Sequence, residues 1–166
     1  MGFTHFNDEG RARMVDVSAK ERTERTATAT ATVYLNAETY AQIVEGRMKK
    51  GDVLAVAQVG GIMAAKHTFE SIPLCHPVML TGADISFELD GENHTIKILA
   101  TTKCKGETGV EMEALNAAAT AALTVYDMSK AAQRDIVIGD IMLLKKSGGK
   151  SGDFVRQAQT GDRSKK

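Results

Sequence analysis

A run of strict alternation between threonine and alanine is the feature that most restricts how this chain can fold. Residues 26–35 read TATATATVYL, with polar or tyrosine side chains at even positions and Ala, Val or Leu at odd ones. A period of two residues is the side-chain repeat of a β-strand, and Thr, Val and Tyr favour strands. The segment therefore predicts a strand, one face of which is small enough for another element to pack closely.

Capping signals predict two helices after this strand. Asn36 is a good N-cap for a first helix that ends near Gly46, and Asp52 can cap a second helix that extends over residues 52–72. The second helix contains Gly60 and Gly61, each costing about 1 kcal/mol of helix propensity relative to alanine. Two interpretations of this pair remain open: a weakened helix, or a place where another backbone approaches closely.

The remaining elements predict the fold class. Residues 83–104 alternate around the turn sequence DGEN and predict a hairpin, residues 110–132 predict a long helix, and residues 136–144 predict a last strand. The resulting order is β-α-α-β-β-α-β. This order predicts an α+β fold, a ferredoxin-like split βαβ sandwich with an antiparallel sheet and helices packed on one face.

The flanking segments differ in composition from this central part. We expect residues 1–24 to form a mobile N-terminal arm, residues 25–146 a single ferredoxin-like catalytic domain, and residues 147–166 a flexible Gly/Lys-rich loop and tail. The first residues lack the apolar stretch of a secretory signal, and no apolar run reaches the roughly 20 residues of a membrane span.

Charge and cysteine usage limit the classes of partner. Twenty-one basic residues balance 21 acidic ones, so the net charge predicts neither a nucleic-acid partner nor a membrane surface. The two cysteines, Cys75 and Cys104, are typical of reduced thiols rather than of a disulfide framework. We therefore expect a soluble cytoplasmic protein.

The segment SGGKSGD, residues 147–153, contains the Gly-Lys-Ser end of a P-loop signature. A P-loop needs a glycine five residues before Gly149, where this chain has Leu144, and no helix-forming run follows. A P-loop is therefore excluded. Two interpretations remain: a solvated flexible tail, or a basic loop whose backbone N–H groups and lysines bind a phosphate.

Three further patterns carry titratable groups. In PLCHP, the adjacent Cys75 and His76 lack the wider spacing of a zinc site, so His76 is either structural or binds a phosphate or a proton. Asp127 and Lys130 lie three residues apart on the long helix and are therefore neighbours on one face. They form either a surface ion pair or a general acid/base pair. Glu113 lies within about 40° of Asp127 on the same helix but roughly 21 Å away along its axis. These carboxylates serve different sites, or two subunits bring them together.

Six segments together resemble the MoaC-type family of molybdenum cofactor biosynthesis. The resemblance covers nearly the whole chain, and the motifs are specific as a set. They are MVDVSAK (14–20), KGDV (50–53), IPLCHP (72–77), GVEMEAL (109–115), VYDMSKA (125–131) and KSGGKSGDF (146–154).

The resemblance implies a lyase with a small-molecule substrate. It implies conversion of a cyclic guanosine triphosphate derivative into cyclic pyranopterin monophosphate with release of pyrophosphate. No cofactor is required, and Mg²⁺ can accompany the substrate phosphates. It also implies a ferredoxin-like fold and a hexamer, a trimer of dimers, with sites at the dimer interface. The alternative is a non-catalytic module that binds a nucleotide triphosphate.

The resemblance also implies which residues form the site. The catalytic pair is Asp127 and Lys130, and we expect burial among other lysines to lower the pKa of Lys130 towards neutrality. No metal ligands are implied. The implied substrate-binding residues are Leu74, Cys75, His76, Met112, Glu113, Lys50, Lys66, Lys146 and Arg25.

Overall fold

A computed structural model describes residues 9–157 of the 166-residue chain. Its elements follow the predicted order, with one short helix and one short strand added. They are β1 (Thr23–Tyr34), α1 (Ala37–Val44), α2 (Val53–Lys66), α3 (Thr68–Ser71), β2 (Leu80–Asp90), β3 (Thr95–Gly106), α4 (Glu111–Ser129), β4 (Val137–Ser147) and β5 (Phe154–Val155).

The strands form one antiparallel sheet within residues 9–157. Their order is β2-β3-β1-β4-β5, which places the alternating strand β1 in the centre. Strands β1 and β2 are separated by β3, and β3 and β4 are separated by β1, as in a split βαβ arrangement. Helices α2 and α4 pack against each other and cover one face of the sheet. The predicted fold class is confirmed.

The core is formed where the alanine face of β1 meets α4. Ala27, Ala29 and Ala31 are at most 1% exposed, as predicted from the alternation. The facing helix also presents alanines, which are fully buried: Ala114, Ala117, Ala118, Ala121 and Ala122. Methyl groups on both surfaces allow the helix backbone to approach the central strand closely, so α4 lies along the middle of the sheet.

The predicted helix over residues 52–72 is interrupted, which corrects its boundaries. Asp52 caps it as expected, accepting a hydrogen bond from the Ala55 N–H at 3.0 Å, but α2 ends at Lys66 and a separate turn, α3, follows. The carbonyl of Ala64 accepts hydrogen bonds from the Thr68 hydroxyl at 2.9 Å and from the Asn116 amide at 3.0 Å. Side chains therefore occupy the acceptor that a continuing helix would use.

The two ends of the chain are described only in part. Residues 148–153 connect β4 to Phe154–Val155, which pairs with β4 as an edge strand that alternation did not predict. The flexibility expected of residues 147–153 stays a prediction. Residues 1–8 and 158–166 lie outside the described part, and the mobility of the arm and tail stays a prediction. No helix within residues 9–157 is long and apolar enough to cross a membrane.

The glycine pair in α2 provides a matched test of close packing. A Cβ at Gly61 would lie 3.0 Å from the Ala117 carbonyl oxygen and 3.2 Å from Ile85, whereas a Cβ at Gly60 would meet the Thr124 side chain. The backbone carbonyl cannot rotate away, so we expect Gly61→Ala to lower the free energy of unfolding by about 1–3 kcal/mol. Gly60→Ala should cost less, as measured by urea denaturation; equal effects would contradict the close approach.

Candidate functional site

The residues predicted for the site lie in two clusters at opposite ends of α4. The carboxyl-end cluster consists of Lys50, Asp127 and Lys130. The amino-end cluster consists of Arg25, Leu74, Cys75, His76, Met112, Glu113 and Lys146. Lys66 is exposed at the last residue of α2. One helix thus carries both clusters, separated by roughly 21 Å along its axis.

Asp127 bridges two ammonium groups in the carboxyl-end cluster. The Lys130 Nζ donates to Asp127 Oδ1 at 2.6 Å, as the three-residue spacing predicts. Lys50, from the turn before α2, donates to Asp127 Oδ2 at 2.9 Å and to the Asp127 carbonyl at 2.8 Å. Lys50 therefore holds both the side chain and the main chain of Asp127, which directs the carboxylate towards Lys130.

Protonation in this cluster differs from the expectation for Lys130. Hydrogen bonds and charge from Lys130 and Lys50 lower the pKa of Asp127 to about 2. The same carboxylate raises the pKa of Lys130 above its ordinary value. The expected lowering of the Lys130 pKa is therefore wrong for the single chain, because the half-exposed side chain faces a carboxylate rather than other buried lysines.

Five residues of the amino-end cluster line an open cavity of about 290 Å³ beside the first turn of α4. The loop after α3 supplies Leu74, Cys75 and His76, and α4 supplies Met112 and Glu113. The proline-flanked loop and the helix terminus thus bring together two segments that are about 40 residues apart in sequence. The cavity places apolar, thiol, imidazole and carboxyl groups within reach of one small ligand.

Burial sets the protonation of two groups in this cavity. Glu113 is 4% exposed, and desolvation raises its pKa, with a smaller contribution from the neighbouring Glu111 carboxylate. Desolvation and then Glu113 raise the pKa of the Cys75 thiol. The Cys75 thiol therefore stays protonated and lines the cavity, rather than acting as an activated nucleophile.

His76 connects the cavity to the chain segment before β1. Its Nε2 lies 2.6 Å from the Val15 carbonyl oxygen, and because a carbonyl only accepts, Nε2 carries the proton. This bond holds residues 15–20 beside the cavity, where Val17 and Lys20 join its lining. Spacing did not single out Lys20, although it belongs to the MVDVSAK motif.

Arg25 and Lys146 surround the glycine-rich loop next to this cavity. Arg25 donates to the carbonyls of Gly106 at 2.8 Å and Glu107 at 3.1 Å. Gly149 has a φ of +81°, which favours glycine, and a Cβ there would collide with the Arg25 guanidinium.

The Lys146 Nζ lies 3.2 Å from Glu111 Oε1 and also contacts the Ser151 hydroxyl. Glu111 was not among the predicted site residues, although the EME motif contains it. Within residues 9–157, no group of three His, Cys, Asp or Glu side chains is arranged to hold a metal ion.

Comparison with known proteins identifies one family. The MoaC family model matches residues 14–149. The cyclic pyranopterin monophosphate synthase of Thermoanaerobacter sp. strain X514 is 62% identical over 157 residues, covering 95% of this chain and 99% of that protein. The protein of the same name from Clostridium acetobutylicum is 59% identical over 154 residues, covering 93% and 96%. That of Staphylococcus carnosus is 56% identical over 158 residues, covering 95% and 98%.

Burial of Glu113 predicts a pH-dependent effect of Glu113→Gln on stability. Because the folded-state pKa is raised, stability is retained below the unfolded pKa and lost as pH rises through the folded pKa. We therefore expect Glu113→Gln to raise Tm at about pH 7 and to change it little at about pH 4. The exposed residue Glu92 provides the control, since Glu92→Gln should give the same small change at both pH values. A lower Tm for Glu113→Gln at neutral pH would contradict the prediction.

Proposed function

The chain belongs to the MoaC family, and we propose that it is the lyase that forms cyclic pyranopterin monophosphate in molybdenum cofactor biosynthesis. Its substrate is (8S)-3′,8-cyclo-7,8-dihydroguanosine 5′-triphosphate, and pyrophosphate is the second product. Support comes from curated relatives that carry this activity in their names and align over almost their whole length.

The carboxylate shared by two lysines is the observation that best supports this reaction. The substrate carries a triphosphate, and negative charge develops on pyrophosphate as it leaves. Lys50 and Lys130 present two ammonium groups at one point because Asp127 holds both. Two fixed cations can neutralise the phosphates and stabilise the leaving group.

Lys130 also suits the proton transfers of the rearrangement. Opening the purine ring and closing the pyranopterin require protons to be delivered to and removed from ring atoms. In the single chain Lys130 is protonated beside Asp127 and so carries a proton for the first transfer, but its raised pKa opposes release until the substrate or a second chain changes its surroundings. After donating a proton to the substrate, its neutral amine can act as the base of a later step.

The amino-end cluster is proposed to bind the ring system of the substrate. Leu74, Cys75 and Met112 line its cavity, and their apolar surfaces suit the face of a flat heterocycle. Glu113 lies at the same cavity and can accept N–H hydrogen bonds from a guanine-type ring. Lys146, Arg25 and Lys66 supply positive charge on neighbouring elements for the phosphates.

A complete site is proposed to need two chains. One nucleotide cannot contact both clusters of a single chain, because they lie roughly 21 Å apart along α4. A two-fold axis near the middle of α4 would place Asp127 of one chain near Glu113 of another. Exposed apolar side chains surround this midpoint and suit burial in such an interface: Val56, Val59, Met63 and Leu123.

The wider assembly and environment follow from the family. We propose a hexamer built as a trimer of dimers, acting in the cytoplasm and needing no resident cofactor. A Mg²⁺ ion that accompanies the reaction would be carried by the substrate phosphates, since the described residues provide no cluster of three metal-ligating side chains. The proposed partner is a small molecule rather than nucleic acid or a membrane.

Lys130→Ala tests the catalytic assignment. We expect normal folding and assembly and a turnover at least about 100-fold lower, because proton transfer and charge stabilisation are both lost. Pyrophosphate release from the purified cyclic nucleotide is the measurement. The control is Lys97→Ala, which removes a lysine that is paired with Glu88 at 3.0 Å on a different surface. Turnover close to that of the unaltered protein would refute the role of Lys130.

The same assay distinguishes the alternative function. A non-catalytic module would bind the cyclic nucleotide tightly and return it unchanged, with no release of pyrophosphate. The Asp127–Lys130 pair favours the enzyme, because a sensor needs cations for the phosphates but no proton donor beside them.

Mixing two inactive variants tests the shared site. Asp127→Asn alters the carboxyl-end cluster, and His76→Ala alters the amino-end cluster. If each site uses one cluster from each chain, random mixing should restore about a quarter of the unaltered activity, since half of the dimers contain one intact site. Subunit exchange is verified by native mass spectrometry. Persistent inactivity after complete exchange would exclude the shared site.

A further inference from the structure

The sheet face opposite α2 and α4 carries a second cavity, of about 410 Å³. We call it the sheet-face cavity. It lies at the end of β1 where Thr26 and Thr28 face away from the alanine core. Lys146 is the one residue of the two active-site clusters that also lines this cavity. Its lining residues are Thr26, Thr28, Thr101, Lys103, Lys145, Lys146, Ser147, Asp153 and Val155.

Strand register arranges the donors of this cavity. Thr26 lies opposite Lys103 on β3 and Ser147 on β4, and Thr28 lies opposite Thr101 and Lys145. Directly opposite residues of antiparallel strands share one face of the sheet. Three adjacent strands therefore bring two lysines and four hydroxyl groups to one area of the surface.

The floor of the cavity is polar and largely buried. Thr28 is 6% exposed, and its Oγ1 lies 2.9 Å from that of Thr101. In a pair of hydroxyls that share one hydrogen bond, the accepting hydroxyl still has its own proton to donate. The floor of the cavity thus offers an O–H hydrogen-bond donor close to Lys103 and Lys145. A donor beside two ammonium groups favours binding of an anion.

Of the three lysines that line this cavity, Lys146 is paired with Glu111 at 3.2 Å. In residues 9–157, no ion pair joins Lys103 or Lys145 to a carboxylate, whereas Lys97 on the same sheet face is paired with Glu88 at 3.0 Å. The one lining carboxylate, Asp153, accepts a hydrogen bond from the Gly148 N–H at 3.3 Å within its own loop. The cavity is therefore cationic and can accept negative charge.

We propose that the sheet-face cavity is a binding site for a condensed phosphate, with pyrophosphate as its representative ligand. Two ammonium groups flanking hydroxyl donors match the several oxygens and the high negative charge of such an anion. A volume of about 410 Å³ can hold a small polyanion. The supply of pyrophosphate as a reaction product rests on the proposed function. The ability of the site to bind pyrophosphate does not depend on that function.

The glycine-rich loop connects this site to the active-site cluster. Ser147 and Asp153, at the two ends of the loop, line the sheet-face cavity. Ser151, within the loop, contacts Lys146, which is paired with Glu111 in the first turn of α4. A bound polyanion would thus contact the two ends of a loop whose middle lies near Arg25. Product held there is outside the substrate cavity yet still in contact with the loop.

Calorimetric titration of the full chain with pyrophosphate, in magnesium-free buffer, tests the site. We expect Lys103→Gln/Lys145→Gln to weaken one class of binding about tenfold or more, because each lost cation removes a charge-assisted hydrogen bond. Lys97→Gln is the matched control, with the same chemistry on the same sheet face outside the cavity, and should bind like the unaltered protein. Unchanged affinity and stoichiometry in the double variant would overturn the proposal.

Two further measurements separate this site from the active site and from an interface. Lys50→Ala should retain the class of binding that the double variant loses, and the double variant should retain turnover of the cyclic nucleotide. If Lys50→Ala abolishes all pyrophosphate binding, the sheet-face site is refuted. A smaller assembly of the double variant by light scattering would also overturn the proposal, because the face would then contact another copy of the chain.

Discussion

Close packing between the alanines of β1 and those of α4 is the contact on which the rest of the structure depends. Because the alanines on both surfaces carry only a methyl group, the long helix lies directly over the central strand. Its first turn then lies at the amino-end cavity, and its last turn carries Asp127. Larger side chains at Ala29 or Ala118 would separate the layers and move both clusters that the helix ends carry.

Sequence periodicity predicts those parts of the fold in which the local sequence alone determines the secondary structure. The alternation of β1 and the N-caps Asn36 and Asp52 are local features, and the structure has each where it was expected. The break after Lys66 could not be predicted in this way, because the Asn116 amide that contacts the Ala64 carbonyl comes from a helix about 50 residues later. Strand β5 depends similarly on an edge of β4 that only exists after folding.

The same distinction applies to the candidate site. The i, i+3 spacing predicts the contact between Asp127 and Lys130, but not the arrival of Lys50, which comes from a distant turn. The Lys130 pKa differs from the expectation because a lowered value depended on burial, and the side chain is half exposed beside a carboxylate. Likewise, spacing cannot show that Glu113 is buried or that Arg25 needs a glycine at position 149.

The hydrogen bond between His76 and Val15 has a consequence for how a ligand can bind beside it. Since Nε2 is committed to a main-chain carbonyl, a neutral imidazole presents Nδ1 only as an acceptor. In that form Nδ1 suits a hydrogen-bond donor of a ligand, such as a ring N–H, rather than a phosphate oxygen. A ligand that donates to Nδ1 would also fix the chain segment before β1, because the same ring is bonded to the Val15 carbonyl through Nε2.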